Sequence, residues 1–150
     1  MGAVTFPDSD VIDFIAQNFI PLQFPHDQKP IADEFRVKWT PTLVTLDTDG
    51  KEHHRTVGFL APEDLIPSLI LGRAKIHFDQ ENFEEALKSL NALLRNYRKS
   101  GAAPEAIFLR GICLYKTTHK PKPLKDVYEK LEAEYPESEW TKRAYPYRLL

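Results

Sequence analysis

The chain has 150 residues, 42% of them hydrophobic and 28% charged, with a net charge of −2, the composition of one ordinary folded domain or two small ones rather than of a disordered or fibrous chain. So small a charge gives no electrostatic footing for binding nucleic acid or an anionic membrane. No apolar run approaches the roughly 20 residues that span a bilayer.

Taken in order, Met1-Gly2-Ala3-Val4-Thr5 has neither the basic nor the apolar part of a secretory leader, so a cytoplasmic location is expected. Pro7-Asp8-Ser9-Asp10 reads as a helix start, with Asp8 or Ser9 as the cap. Val11, Ile12, Ile15 and Phe19 then recur at helical spacing and predict one apolar face. Phe19-Ile20-Pro21-Leu22-Gln23-Phe24 reads as a short strand, in which Pro21 must sit at the start or at an unpaired position. Pro30 opens a brief second helix through Ile31, Ala32 and Phe35, at a first-turn position that tolerates proline.

Thr42 to Leu46 is the clearest strand, rich in β-branched residues. Thr48-Asp49-Gly50 turns it back, since Gly50 takes positive φ without steric cost. Lys51 to Phe59 returns as a more polar strand, expected at a sheet edge, with Gly58 marking a bulge or a close backbone contact. Ala61-Pro62-Glu63-Asp64 starts the next helix, which carries Leu65, Ile66, Leu69 and Ile70. Helix, strand, helix, strand, strand, helix is an α/β order with an antiparallel hairpin.

These pieces carry a family resemblance. Thr5-Phe6-Pro7-Asp8, Asn18 to Leu22, Ala32 to Val37, Thr40-Pro41-Thr42, Asp49-Gly50-Lys51, Gly58-Phe59 and Pro62 to Leu65 together resemble thioredoxin-like proteins of the kind with a helix-borne dithiol. The resemblance implies a cis peptide bond before Pro41. It also implies that the backbone around Trp39, Thr40 and Pro41 pairs with an extended peptide. In that family the reactive cysteines stand at the start of the helix that runs into the equivalent of Thr5-Phe6-Pro7-Asp8, so they are expected upstream of Met1, together with the strand that leads to them. That strand sits between the equivalents of Ile20–Phe24 and Thr42–Leu46, and its loss leaves backbone groups that must find partners elsewhere. Either Met1 is an internal methionine of a longer gene, the reading favoured here, or a degenerate domain has closed the gap.

From Leu71 the pattern becomes continuous helix. The preceding helix is expected to continue from Leu71 through Phe78, so that the Leu65 to Phe78 helix is shared by both halves; further helices are expected from Phe83 with Leu90, Leu93, Leu94 and Tyr97 on its apolar face, from about Glu105 to Thr118, and then with Leu124, Val127, Tyr128, Leu131 and Tyr135. Leu90 to Tyr97 and Tyr128 to Tyr135 match at a spacing of about 38 residues, a period of helix-turn-helix repeats. Ala74 and Gly111 as small packing residues, Ala86, and Tyr135-Pro136-Glu137-Ser138 resemble tetratricopeptide repeats. Pro123 falls where a small residue is wanted, and two units with a partial helix at Glu139 to Tyr145 fall short of the three or so that usually stand alone.

The single cysteine, Cys113, allows neither an internal disulfide nor a CxxC pair, and its apolar helical setting predicts an inert, buried thiol. His53 and His54 adjoin on a strand and face opposite ways, while His26, His77 and His119 have no ligand spacing. Glu84-Glu85 and Glu132-Ala133-Glu134 read as solvated helix faces. The basic, proline-rich run from Lys116 to Lys125 reads as an exposed loop, and the aromatic residues from Phe78 to Trp140 as helix packing. No catalytic residue, metal or cofactor is expected.

The expected architecture is therefore an N-terminally incomplete α/β thioredoxin-like domain over residues 1–71 and an all-α, tetratricopeptide-like region over 72–150. The expected function is a non-catalytic protein-interaction module for a protein or peptide partner, with Trp39, Thr40 and Pro41 as the candidate binding residues. The alternative is a fragment of a thiol-disulfide oxidoreductase whose CxxC lies upstream of Met1; a chaperone-like peptide holder is a third reading. Unpaired strand edges also raise the expectation of a homodimer through the sheet.

Overall fold

Asp8 starts the first helix, and its carboxylate accepts the N–H groups of Asp10 and Val11, two of the donors that a helix start leaves free. In the computed structural model, which describes residues 1–150, this helix, α1, spans Ser9–Asn18. Of its apolar residues Val11 is fully buried, Phe14 and Ile15 are half-buried and Ile12 is exposed. The apolar face is thus narrower than the sequence pattern predicts.

The strand expected over Phe19–Phe24 does not form. Ile20 and Leu22 are 90% and 73% exposed, and no amide from Ile20 to Phe24 donates to a backbone carbonyl. A strand exists through its ladder, and apolar composition does not supply the neighbour. Helix α2 follows at Lys29–Glu34 with Pro30 in its first turn, and it ends where Arg36 turns left-handed at φ 49°.

Strands β1 (Thr42–Leu46) and β2 (Glu52–Val57) form a two-stranded antiparallel sheet. Thr42 faces Val57, Val44 faces Arg55 and Thr45 faces His54; the register then shifts, so that Leu46 faces Glu52. Asp47 organises the turn. Its Oδ1 accepts the N–H groups of Asp49 and Lys51, its Oδ2 lies 2.8 Å from His53 Nε2, and Gly50 supplies φ 80°. Hydrogen bonds from His53 and from the Lys51 amide hold the Asp47 carboxyl below its ordinary range. The buried Thr5 hydroxyl donates to the Leu60 carbonyl at 2.6 Å, tying the N-terminal segment to the chain just after β2.

Helix α3 spans Pro62–Asp79. The chain divides into two compact units, Met1–Ile66 and Pro67–Leu150, and the division falls within the sequence of this helix. In the second unit α4 (Phe83–Asn96), α5 (Ala103–Thr118), α6 (Lys122–Glu134) and α7 (Glu139–Ala144) precede a 3-10 turn at Tyr145–Leu149. His119 ends α5 in the left-handed conformation, φ 56°, and Ser138 caps α7 through its hydroxyl. Leu90, Leu93, Ala106, Ile107, Cys113, Val127, Leu131 and Ala144 form the buried interior. Phe108 stacks on Tyr147 and packs against Trp140, with ring centroids 5.8 and 5.1 Å apart.

Helices α5 and α6 approach most closely at Gly111. A methyl group there would stand 2.0 Å from Val127 Cγ2 and 3.2 Å from the Pro123 carbonyl oxygen. The small residue that the sequence suggests for close packing has this physical reason. Lys75 pairs with Glu105 and so links α3 to α5, and the Tyr135 hydroxyl donates to the Arg98 carbonyl, linking the end of α6 to the end of α4.

Candidate functional site: the loop before strand β1

Three local features position the Trp39-Thr40-Pro41 loop. The Thr40–Pro41 peptide bond is cis. The Thr42 hydroxyl donates to the Trp39 carbonyl at 2.6 Å, closing the loop on itself. The Gly58 amide donates to the Pro41 carbonyl at 2.8 Å, extending the hairpin ladder by one pair. Gly58 has φ 101°, a conformation that side chains make costly. On the approach to the loop, Arg55 donates to the Phe35 carbonyl at 2.7 Å while paired with Glu52. That contact holds the chain after α2 against β2.

Trp39 is 71% exposed, and Thr40 is exposed while Pro41 is half-buried. The Pro41–Gly58 bond brings this loop and the Val57–Phe59 segment to the same open end of the hairpin. Val57 and Phe59 are 57% and 59% exposed. Three large apolar side chains standing in water around one short loop are unusual for a settled surface, where such residues are scattered singly. Val57 and Phe59 were not among the candidate residues read from the sequence. Their exposure follows from register, because β2 lies at an edge and Gly58 turns the chain there.

The chemistry of the other candidates is equally concrete. Cys113 is fully buried and unpaired, and burial pushes its thiol up to about 11; at neutral pH it is protonated and not a nucleophile. His53 is taken up by Asp47 at the hairpin turn, and no group of three or more His, Cys, Asp or Glu side chains gathers as a metal site. Two surface depressions lie in the second unit. One, of about 300 Å³, is lined by Arg73, His77, Glu85, Lys88, Ser89 and Ala92, and the other by Arg98, Lys99, Glu134 and Tyr135. Both are open to solvent. No helix is long and apolar enough to cross a membrane.

Residues 1–71 match the model of a family described as a thioredoxin-like domain. No curated protein and no solved structure matches the chain.

Proposed function

We propose that this chain is a protein-interaction module whose thioredoxin-like part takes an extended polypeptide beside Thr40-Pro41, without redox chemistry of its own. The observation that carries the proposal is the exposure of Trp39, Val57 and Phe59 around one loop. An extended peptide laid against such a loop gains backbone hydrogen bonds from the loop and apolar contact from the three side chains. Aromatic residues are the usual energetic centres of such contacts. Pairing through the backbone constrains shape more than sequence, so the partner's chemistry is an uncharged, apolar stretch in extended form. The helical half contributes a second, tetratricopeptide-like interaction segment; the spacing of Leu90–Tyr97 against Tyr128–Tyr135 and the close approach at Gly111 support that reading.

The test is selection from a random dodecapeptide library on the intact chain, followed by titration of the selected peptides. Trp39→Ala and Phe59→Ser should each weaken binding by about tenfold or more, the loss expected for an interface anchor. Peptides that bind both variants as well as they bind the unaltered chain would refute the site.

The match to a thioredoxin-like domain favours one alternative, thiol-disulfide exchange by a longer product with a dithiol encoded upstream of Met1. Translating the genomic DNA upstream in the same frame separates the two readings. An open frame with a strand and Trp-Cys-x-x-Cys supports the enzyme, and an in-frame stop with no dithiol removes it.

A further inference from the structure

The depression lined by Arg73, His77, Glu85, Lys88, Ser89 and Ala92 lies wholly within the second unit. Its walls follow from helical spacing. Arg73 and His77 stand one turn apart on α3, and Glu85, Ser89 and Ala92 follow one another at single turns on α4, so each set shares one helix face. The turn between the helices sets the two faces against each other. There Phe78 meets Phe83 edge-on, with ring centroids 5.7 Å apart, and the Asn82 amide donates to the His77 carbonyl at 2.8 Å.

His77 is the unsettled member of this cluster. Its Nδ1 is buried and meets no hydrogen-bond partner, so no bond at that nitrogen accounts for the ring's place in the fold. A hydrogen on Nε2 spares the fold a buried N–H with no acceptor, and makes Nε2 the ring's donor toward the depression. Arg73 adds a guanidinium whose fork matches two oxygens of an oxyanion. Lys88 adds an ammonium, and Ser89, only 7% exposed, a hydroxyl.

One acceptor stands among these donors. Lys88 donates to Glu85 Oε1, and that bond holds the Glu85 carboxyl below its ordinary range, so it is ionised at neutral pH. Glu85 Oε2 is left to accept from a ligand. Two cations against one carboxylate keep the wall net positive, which favours an anion. The carboxylate then disfavours any anion that lacks a hydrogen to give it. Phosphate keeps at least one P–OH at neutral pH, and sulfate keeps none.

We propose that this depression binds hydrogenphosphate, with Arg73, Lys88, the Ser89 hydroxyl and His77 Nε2 donating to its oxygens and Glu85 Oε2 accepting its P–OH. The site is open to solvent, which screens its charges, so the affinity is millimolar. It uses none of the residues around the Trp39 loop.

The test is titration of the isotope-labelled full chain with sodium phosphate and, in parallel, sodium sulfate, at about pH 7.5 and an ionic strength fixed with sodium chloride. Phosphate should shift the His77 ring and the Ser89 amide together and saturably, with an affinity about tenfold above that for sulfate, which meets a like charge at Glu85. Glu85→Gln offers an amide that can donate to either anion, and should raise the affinity for sulfate until the two agree within about threefold. Arg73→Gln should weaken phosphate by about tenfold. Circular dichroism checks the fold of both variants, and Glu85, partly exposed, carries the test if Arg73→Gln does not fold. N-acetyl-O-phosphoserine amide is mostly a dianion without P–OH well above about pH 6, and should bind less tightly than inorganic phosphate. Absence of saturable shifts with phosphate overturns the site. Equal affinities for phosphate and sulfate in the unaltered chain reduce it to an adventitious ion only and overturn the proposal. Discrimination that persists in Glu85→Gln, or phosphoserine binding tighter than phosphate, overturns it as well.

Discussion

Replacing Gly111 with alanine sets two effects of known size against each other. In an open helix the change would stabilise by about 1 kcal/mol, because glycine has the higher backbone entropy to lose. In α5 the new methyl would lie 2.0 Å from Val127 Cγ2, well inside van der Waals contact. Val127 cannot give way easily. It is β-branched, so its χ1 is restricted in a helix, it is 4% exposed, and the Pro123 carbonyl stands behind the same space at 3.2 Å. Overpacking of a closed core costs about 1–3 kcal/mol, and an overlap this deep belongs at the upper end of that range. The net expectation is a loss of about 2 kcal/mol, measured by urea unfolding followed by circular dichroism. For a unit of this size it corresponds to a fall in Tm of roughly 8–16 °C. A double-mutant cycle makes the cause specific. Val127→Ala alone leaves a cavity and destabilises, yet in its background Gly111→Ala should cost about 1 kcal/mol less, because the clashing Cγ2 is gone. A neutral or stabilising Gly111→Ala would refute the packing account, as would strictly additive effects in the cycle.

Three further outcomes follow from the geometry. Thr5→Val keeps shape but removes the donor to the Leu60 carbonyl, and should cost the first unit about 1–2 kcal/mol in urea unfolding, while Thr5→Ser should keep most of that stability. Because the Asp47 carboxyl is held below its ordinary range in the folded chain, its contribution is complete above the unfolded carboxylate value and is lost as pH falls through the folded one. The protection of amides in the Leu46–Glu52 turn, relative to their intrinsic exchange rate, should therefore fall below about pH 4, and Asp47→Ala should leave that protection low at neutral pH and independent of this titration. With its thiol pushed up to about 11, Cys113 should resist iodoacetamide at pH 8 in the folded chain and react promptly in urea; fast labelling of the native protein would contradict its burial.

How much of this could be read from the residues depended on the range of the interactions involved. The hairpin was legible because Thr42–Leu46 and Asp49-Gly50 are local signals, and the helical half because its apolar spacing is local too. The Asp8 cap was visible for the same reason. The segment Phe19–Phe24 has the composition of a strand and does not form one, because strand formation depends on a neighbour elsewhere in the chain. The pairing of His53 with Asp47 depended on the register shift between Thr45 and Leu46, which no pattern of residue types announces. At the candidate site the sequence pointed to Trp39, Thr40 and Pro41 through a resemblance, and the exposure of Val57 and Phe59 beside them emerged only from the turn at Gly58. The small size of Gly111 is visible in the sequence, but the Val127 methyl that requires it lies 16 positions away on the next helix.

The most direct test of the interaction account is a titration of ¹⁵N-labelled full chain with a peptide selected from the dodecapeptide library, read residue by residue. The account predicts that the Trp39 indole, the Thr40 and Thr42 amides and the Gly58 amide shift together and saturate with one affinity. Trp39→Ala should raise the peptide concentration needed for those shifts by about tenfold or more while leaving the α4–α7 resonances in place. Shifts confined to α4–α7, or binding that Trp39→Ala does not weaken, would contradict it.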